Sequence, residues 1–245
     1  MAQSSPVRRR DHIDIGCVIH GKPYDWVYVD RLWSMVSRNF SIPVVLHVWT
    51  EHDRSVPPQY IKHCLTEWPG IAGPKKSWWY KMQMFDPGYF EGELLYFDLD
   101  VVICNDLSWV LEHDTRKFWT IRDFRYLQRP TSNINSSMMW WDTRRFGWVW
   151  DRFMQETPTA AAARYHGDQD FIGAQITQDQ RCLFADSHVQ SWRWSAWQGG
   201  MDFGTRKYRA PGTGTQIAPG VSVLVFHGHP KPHAITDPVV QQLWR

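Results

Sequence analysis

The 245-residue chain is short of several things. No apolar run approaches the ~20 residues needed to span a bilayer. The polar stretch Met1–Asp14 has no apolar signal-peptide core. A transmembrane anchor and secretion are therefore not expected, and the expected setting is cytoplasmic, with peripheral membrane association at most. Cysteine is scarce: Cys17, Cys64, Cys104 and Cys182 stand far apart, and no pair has the two-residue spacing of a zinc knuckle or redox motif. That fits free thiols in a reducing compartment. Neither sign of charge dominates: 27 basic against 25 acidic residues leaves +2, with Arg8–Arg10 as the only short basic run. A nucleic-acid partner is not expected from that balance. Repeats and low-complexity linkers are absent. Gly212-Thr213-Gly214 lacks the following Gly-Lys-Ser/Thr of a phosphate loop and has no strand before it. The length allows one large domain or two small ones. The expected organisation is a disordered basic leader over 1–12 and a single domain over 13–245.

Tryptophan is abundant, with 16 copies in a chain that is 15% aromatic. Tryptophan fills cores, and it also offers flat platforms to apolar sugar faces and cations. Core packing is expected for most of them, including Trp33, Trp49, Trp148 and Trp150 on helical or strand patterns.

Strand and helix patterns alternate through the first hundred residues. Ile13–Ile19, Pro43–Trp49, Leu94–Phe97, Phe118–Asp123, Ser137–Trp141 and Val221–Phe226 read as strands. Asp25–Asn39, Pro57–Leu65, Ser77–Phe85, Arg144–Gln155, Gly167–Ile176 and Asp237–Trp244 read as helices, and Gln198–Gly220, rich in Gly, Pro and Thr, reads as a long loop. The loop is expected to order over a bound nucleotide. The fold class implied is α/β, with a mixed, mainly parallel central sheet flanked by helices. Ligands of such sheets bind beyond the carboxyl ends of the strands, so chemistry belongs just after each apolar run.

Asp98 and Asp100 follow the run Leu94–Phe97. Two carboxylates one residue apart at a strand exit can share one hard divalent cation, although such a triplet also serves merely to cap a turn. Leu99 between them is expected to point inward. Lys81 in Trp78-Trp79-Tyr80-Lys81-Met82 suits a phosphate clamp; by itself it reads as an ordinary solvated lysine. Asn135-Ser136-Ser137, at a strand start, is either turn chemistry or a set of hydrogen-bonding groups for sugar hydroxyls. His166-Gly167-Asp168-Gln169-Asp170 is either an acidic helix N-terminus or part of a site. The tail holds His227, His229, Lys231 and His233. His227 directly follows a strand and is the better candidate of the three histidines for a manganese-like ion.

That order of motifs resembles the GT-A nucleotide-diphospho-sugar transferases, and within them the clan of glycosyltransferase family eight, with its glycogenin-like and bacterial lipooligosaccharide galactosyltransferase-like enzymes. It is also similar to small uncharacterised bacterial glycosyltransferases. The resemblance spans about Ile13 to His233, and Asp98-Leu99-Asp100 and His166–Ile172 are its most specific blocks. It implies a Mn2+ or Mg2+ ion held by Asp98 and Asp100, with Asp98 also near the ribose; His227 serves as a third ligand only with a shift of its loop. It implies Lys81 and Lys231 at the donor phosphates or sugar. Asn135, Ser136 and Ser137 would run along donor sugar and acceptor, and Asp168 and Gln169 would bind donor-sugar hydroxyls. The strand ends Cys17, Val18, Ile19 and Thr50, with Glu51, would border the base. The sequence departs from the family pattern at Val225, where the metal histidine is usual, and at His233, where tryptophan is usual.

The expected function is transfer of a sugar from a UDP-linked donor to a hydroxyl of a glycan or glycolipid, with retention at the anomeric carbon. An inverting enzyme would need a base, for which Asp123 and Asp168 are the candidates. Two other readings stand beside it. Phe97–Asp100 also looks like the first-strand motif of haloacid-dehalogenase-like phosphatases, though about 95 residues precede it and Val102 stands where threonine would help. The tryptophans would also suit a carbohydrate-binding module without activity. Trp192, Trp194 and Trp197, which no core period explains, are the expected acceptor-sugar platform, and one of Trp140 and Trp141 is expected to turn toward the cleft.

Overall fold

Apolar, β-branched runs build the strands, and a two-sided covering of helices and loops keeps them buried. The computed structural model describes residues 10–71, 76–197, 201–202, 207–208 and 214–245, with backbone only at 201–202 and 207–208. Residues 1–9 of the expected leader and 198–200, 203–206 and 209–213 of the expected loop lie outside them. The chain runs β1 (Ile13–Val18), α1 (Trp26–Asn39), β2 (Val44–Thr50), β3 (Ile61–Cys64), a 3-10 helix (Ser77–Phe85), β4 (Glu93–Phe97), β5 (Val101–Ile103), β6 (Phe118–Arg122) and β7 (Ile134–Asp142). Then come α2 (Thr143–Phe146), α3 (Trp148–Glu156), α4 (Pro158–Arg164), α5 (Asp168–Gln175), β8 (Arg181–Leu183) and β9 (Val189–Ser191). The last elements are β10 (Met201–Asp202), β11 (Lys207–Tyr208), β12 (Val223–Val225) and α6 (Pro238–Leu243). Among the described residues no helix is long and apolar enough to cross a membrane.

Seven strands form the central sheet in the order β3-β2-β1-β4-β7-β6-β8. The β3-β2-β1-β4 and β6-β8 neighbours are parallel, and β7 is antiparallel to both β4 and β6. This is the mixed, mainly parallel sheet that the sequence pattern implies. A second sheet, β5-β12-β9, has β12 antiparallel to β5 and parallel to β9. The chain leaves the large sheet at Phe97 and enters the small one at Val101, so Asp98-Leu99-Asp100 is the step between two sheets.

Both faces of the central sheet are covered. Ile13, Ile15, Cys17 and Ile19 pack under α1 in one core, while the other face packs against the 3-10 helix, α3 and α5 in a second core. That two-sided burial corrects three expectations. Trp140 and Trp141 alternate into opposite cores and both are buried, so neither reaches a cleft. Trp33 is 37% exposed, because the buried stripe of α1 runs through Tyr28, Val29, Leu32, Met35 and Val36 and passes it by. Residues 57–65, read as a helix, contain β3 instead: Ile61–Cys64 finds a parallel partner in His47–Thr50, and pairing overrides local preference. The expected helix Arg144–Gln155 is broken at Gly147 into α2 and α3. The expected Ser77–Phe85 helix is present in 3-10 form.

On the second face a polar chain crosses the strands. His63 stacks on Trp49 at 4.2 Å, and its Nε2 lies 2.9 Å from Nδ1 of His47. His47 Nε2 meets Asp14 at 2.9 Å, and His12 approaches the same carboxylate at 3.3 Å. Burial, and then the neighbouring His47, hold His63 down to about 4, so it is neutral in the native state. An unfolded His63 binds a proton below about 6.5 that the folded one refuses. Stability is therefore expected to fall as pH drops from about 6.5 to about 4. His63→Phe should flatten that dependence in urea unfolding at pH 7, 6, 5 and 4; an unchanged slope would refute the assignment.

Candidate active site

The step between the sheets is tied down on both sides. Asp98 N–H donates to Ser137 C=O of β7 at 2.9 Å, and Phe226 N–H, just past β12, donates to Asp100 C=O at 3.3 Å. Leu99 points into the core, 3% exposed. The two flanking carboxylates meet cations from distant parts of the chain. Lys81 Nζ lies 2.9 Å from Asp98 Oδ1 and 3.1 Å from Asp168 Oδ2. It donates to Ser136 Oγ at 3.0 Å, and Ser136 Oγ donates to Asp168 Oδ2 at 2.6 Å. Lys231 forms an ion pair with Asp100 Oδ2, to which Tyr24 OH also donates at 3.2 Å. Tyr96 OH donates to Asp98 Oδ1.

These contacts sort the ionisations. Burial raises Asp98, but the Lys81 ammonium and the Tyr96, Lys81 and Ser137 hydrogen bonds outweigh it and hold the carboxyl below its ordinary range. Burial wins at Asp100, against Lys231, and at Asp168, against Lys81, so both lie above their ordinary value. Burial pushes Lys81 down, but Asp168 and Asp98 push it further up, and it stays charged.

Lys81, Asp98, Asp100, Ser136, Ser137, Asp168 and Lys231 thus come together from five regions of sequence. Gln169 is half-buried on the first turn of α5, next to Asp168. Asn135 clasps the start of the segment by accepting Ser137 N–H at 2.9 Å. Asp123 caps a 3-10 turn (Phe124–Leu127) and spends its oxygens on Arg125, through N–H at 2.9 Å and Nε at 3.0 Å. It is not poised as a base.

Several assignments change. The side chains of Cys17 and Ile19 are fully buried under α1, so at most backbone is available there, and the Val18 side chain packs toward the second core. Thr50 is buried and donates to Glu51 at 2.8 Å. Burial raises Glu51, but Arg54 and the Gly21 N–H hold it at about 2. His227 is not turned to the carboxylates: its Nε2 lies 2.7 Å from Ser191 Oγ, its ring stacks on Phe124 at 5.2 Å, and burial followed by Arg193 lowers it to about 4. Val225, in the position usual for a histidine, is buried and pairs with Val101. Among the described residues no three His, Cys, Asp or Glu side chains gather to hold a metal ion. Trp192 is buried, stacks on Phe226 at 4.9 Å and donates to Thr215 at 2.9 Å. Trp194 and Trp197 are partly buried against the same core. A π-helical turn, Trp192–Ala196, sets this packing, which no regular period announces.

Two partners escaped the sequence reading. Tyr96 was legible, since it shares a strand face with Asp98 two residues on. Tyr24 was not, because only folding brings it 76 positions along the chain to Asp100.

No family model and no curated protein matches the sequence. Solved structures do match. A structure of an active-site mutant of LgtC aligns with TM-score 0.65 and 11% identity over 94% of both chains. Galactosyltransferase LgtC with donor and acceptor sugar analogues aligns with TM-score 0.65 and 12% identity, again over 94% of both. The chain has the GT-A glycosyltransferase fold. The glycosyltransferase GlyE of Streptococcus pneumoniae aligns with the same score and 12% identity, over 95% of this GT-A chain and 60% of GlyE.

Removing Lys81 leaves the buried Asp168 and the half-buried Asp98 without their cation. Lys81→Met should cost about 3–5 kcal/mol, read as a lower urea midpoint. Adding Asp168→Asn should recover part of it, whereas a loss unaffected by Asp168→Asn would place the cost elsewhere.

Proposed function

We propose that this GT-A chain transfers a glycosyl group from a nucleotide-diphosphate sugar, UDP-linked, to a hydroxyl of a glycan or glycolipid, with retention at the anomeric carbon. What carries the reading is the row of ion pairs Lys231–Asp100 and Asp98–Lys81–Asp168 beyond the end of β4. Ligands of such sheets bind at that end. Lys231 binds a diphosphate oxygen where it now meets Asp100. Lys81 and Asp168, braced by Ser136, hold the sugar's polar edge.

Three carboxylates against two ammoniums leave this row short of positive charge by one unit. Asp98 and Asp100 offer hard oxygens one residue apart, which suits a divalent cation that takes one or two carboxylates and completes its shell with phosphate and water. Mg2+ or Mn2+ bound by them would neutralise the leaving diphosphate. In the transfer the bond from the anomeric carbon to the phosphate oxygen breaks, and its electron pair leaves with the nucleotide diphosphate. The acceptor oxygen bonds to the anomeric carbon, and its proton passes to the departing phosphate. Lys81 and Lys231 stabilise charge that develops only as the bond breaks.

The phosphatase reading is disfavoured: Asp98 follows the fourth strand and not the first, closed in by Lys81 and Tyr96. An inactive sugar-binding module has no use for five charges gathered in one row, three of them buried.

A panel of nucleotide sugars with Mn2+ or Mg2+, read by thermal shift and by release of nucleoside diphosphate, tests the proposal. One UDP-sugar should stabilise the protein and turn over slowly. Asp100→Asn should lower turnover on the order of 100-fold, and chelation should abolish it until metal is restored. Release of phosphate from simple phosphoesters, with no nucleotide sugar consumed, would overturn it.

A further inference from the structure

Most of the described tryptophans are buried or packed against a core, but Trp33 and Trp78 are each 37% exposed. Trp33 sits on α1, edge-on to Tyr60 beside the sheet's β3 edge, away from the charged row. Trp78 lies beside it. In a 3-10 helix residues i and i+3 share one edge, and three residues rise about 6 Å. Trp78 therefore stands one turn from Lys81, on the edge that carries Lys81 to Asp98 and Asp168.

A second element converges on the same indole. A Cβ at Gly167 would lie 3.2 Å from Trp78 Nε1, so the bare backbone lets the ring press against the chain one residue before Asp168. His166, exposed, lies nearly parallel to Trp78, with centroids 6.5 Å apart and planes at 12°. Trp78 and His166 form an aromatic ledge at the mouth of the charged row, on the Lys81–Asp168 side. Lys231 holds the opposite end.

We propose that Trp78, flanked by His166, is the platform on which the pyranose ring of the acceptor stacks. The proposal rests on the glycosyltransferase reading and names its second substrate as a glycoside with an apolar C–H face. The row has a direction. With the diphosphate at Lys231 and Asp100 and the transferred sugar at Lys81 and Asp168, the next group outward is the acceptor, and Trp78 meets it there. A flat, rigid ring with a polar edge binds such a face at little entropic cost. The nucleotide's base is also flat, but it extends from the diphosphate away from the transferred sugar.

Incorporation of 5-fluorotryptophan and 19F NMR test this directly. Loss of one resonance in Trp78→Phe assigns Trp78. The protein, with UDP and Mg2+ present, is titrated with methyl β-galactoside, methyl β-glucoside, methyl β-N-acetylglucosaminide and lactose. At least one should move the Trp78 resonance saturably. With that glycoside as acceptor, Trp78→Ala should raise the acceptor KM about tenfold, more than kcat falls, and Trp78→Tyr should restore most of it. A Trp78 resonance that no glycoside moves overturns the platform. So does one that UDP alone moves, which would give the indole to the base. If nucleotide sugars neither bind nor turn over while glycosides still move Trp78, the transferase reading fails and the platform stands.

Discussion

The structure turns on a change of sheet within three residues. β4 belongs to the seven-stranded sheet and β5 to the three-stranded one, and the chain crosses between them at Asp98-Leu99-Asp100. Leu99 anchors the step in the core, while the backbone on either side is pinned to Ser137 and Phe226. This holds the two carboxylates at the mouth between the sheets, where strands from distant parts of the chain end. β7 delivers Asn135–Ser137 to one side, and the segment after β12 delivers Lys231 to the other.

Burying carboxylates is costly unless cations and hydrogen bonds accompany them. The site meets this with lysines that are themselves buried or nearly so. Lys81 serves two carboxylates at once, and Ser136 braces one of them, so a single side chain couples β4, β7 and α5. The same crowding separates the ionisations: Asp98 is held low, while Asp100 and Asp168 are raised. A row built this way is held by contacts from several elements before any ligand arrives, as the proposed stabilisation of a leaving diphosphate would require.

The tryptophan excess has a structural explanation before a functional one. A sheet covered on both faces needs large side chains on successive residues, and Trp140 and Trp141 fill opposite cores. Trp192, Trp194 and Trp197 gather around β9 and β12, where an irregular π-helical turn leaves space for them. Once these are accounted for, the exposed indole beside the charged row stands apart.

Much of this was legible in the chain itself. Period and composition determined the α/β class, most strands and helices, and the points where strands end, because alternation and apolar runs are local properties. The Asp98–Asp100 pair, Lys81, Ser136, Asp168 and Lys231 were readable as motifs for the same reason. What each one touches was decided only by tertiary structure. Lys81 reads as a solvated lysine until folding closes two carboxylates over it. His227 reads as a metal ligand until its ring is set against Phe124 and Ser191. Cys17 and Ile19 read as lining residues until α1 covers their face. Residues 61–64 become a strand only because β2 offers an unpaired edge. Sequence carries residue type and local period; burial and partnership depend on elements elsewhere in the chain, as far apart as Lys231 and Asp100, 131 residues, and those distances vanish only in the folded chain.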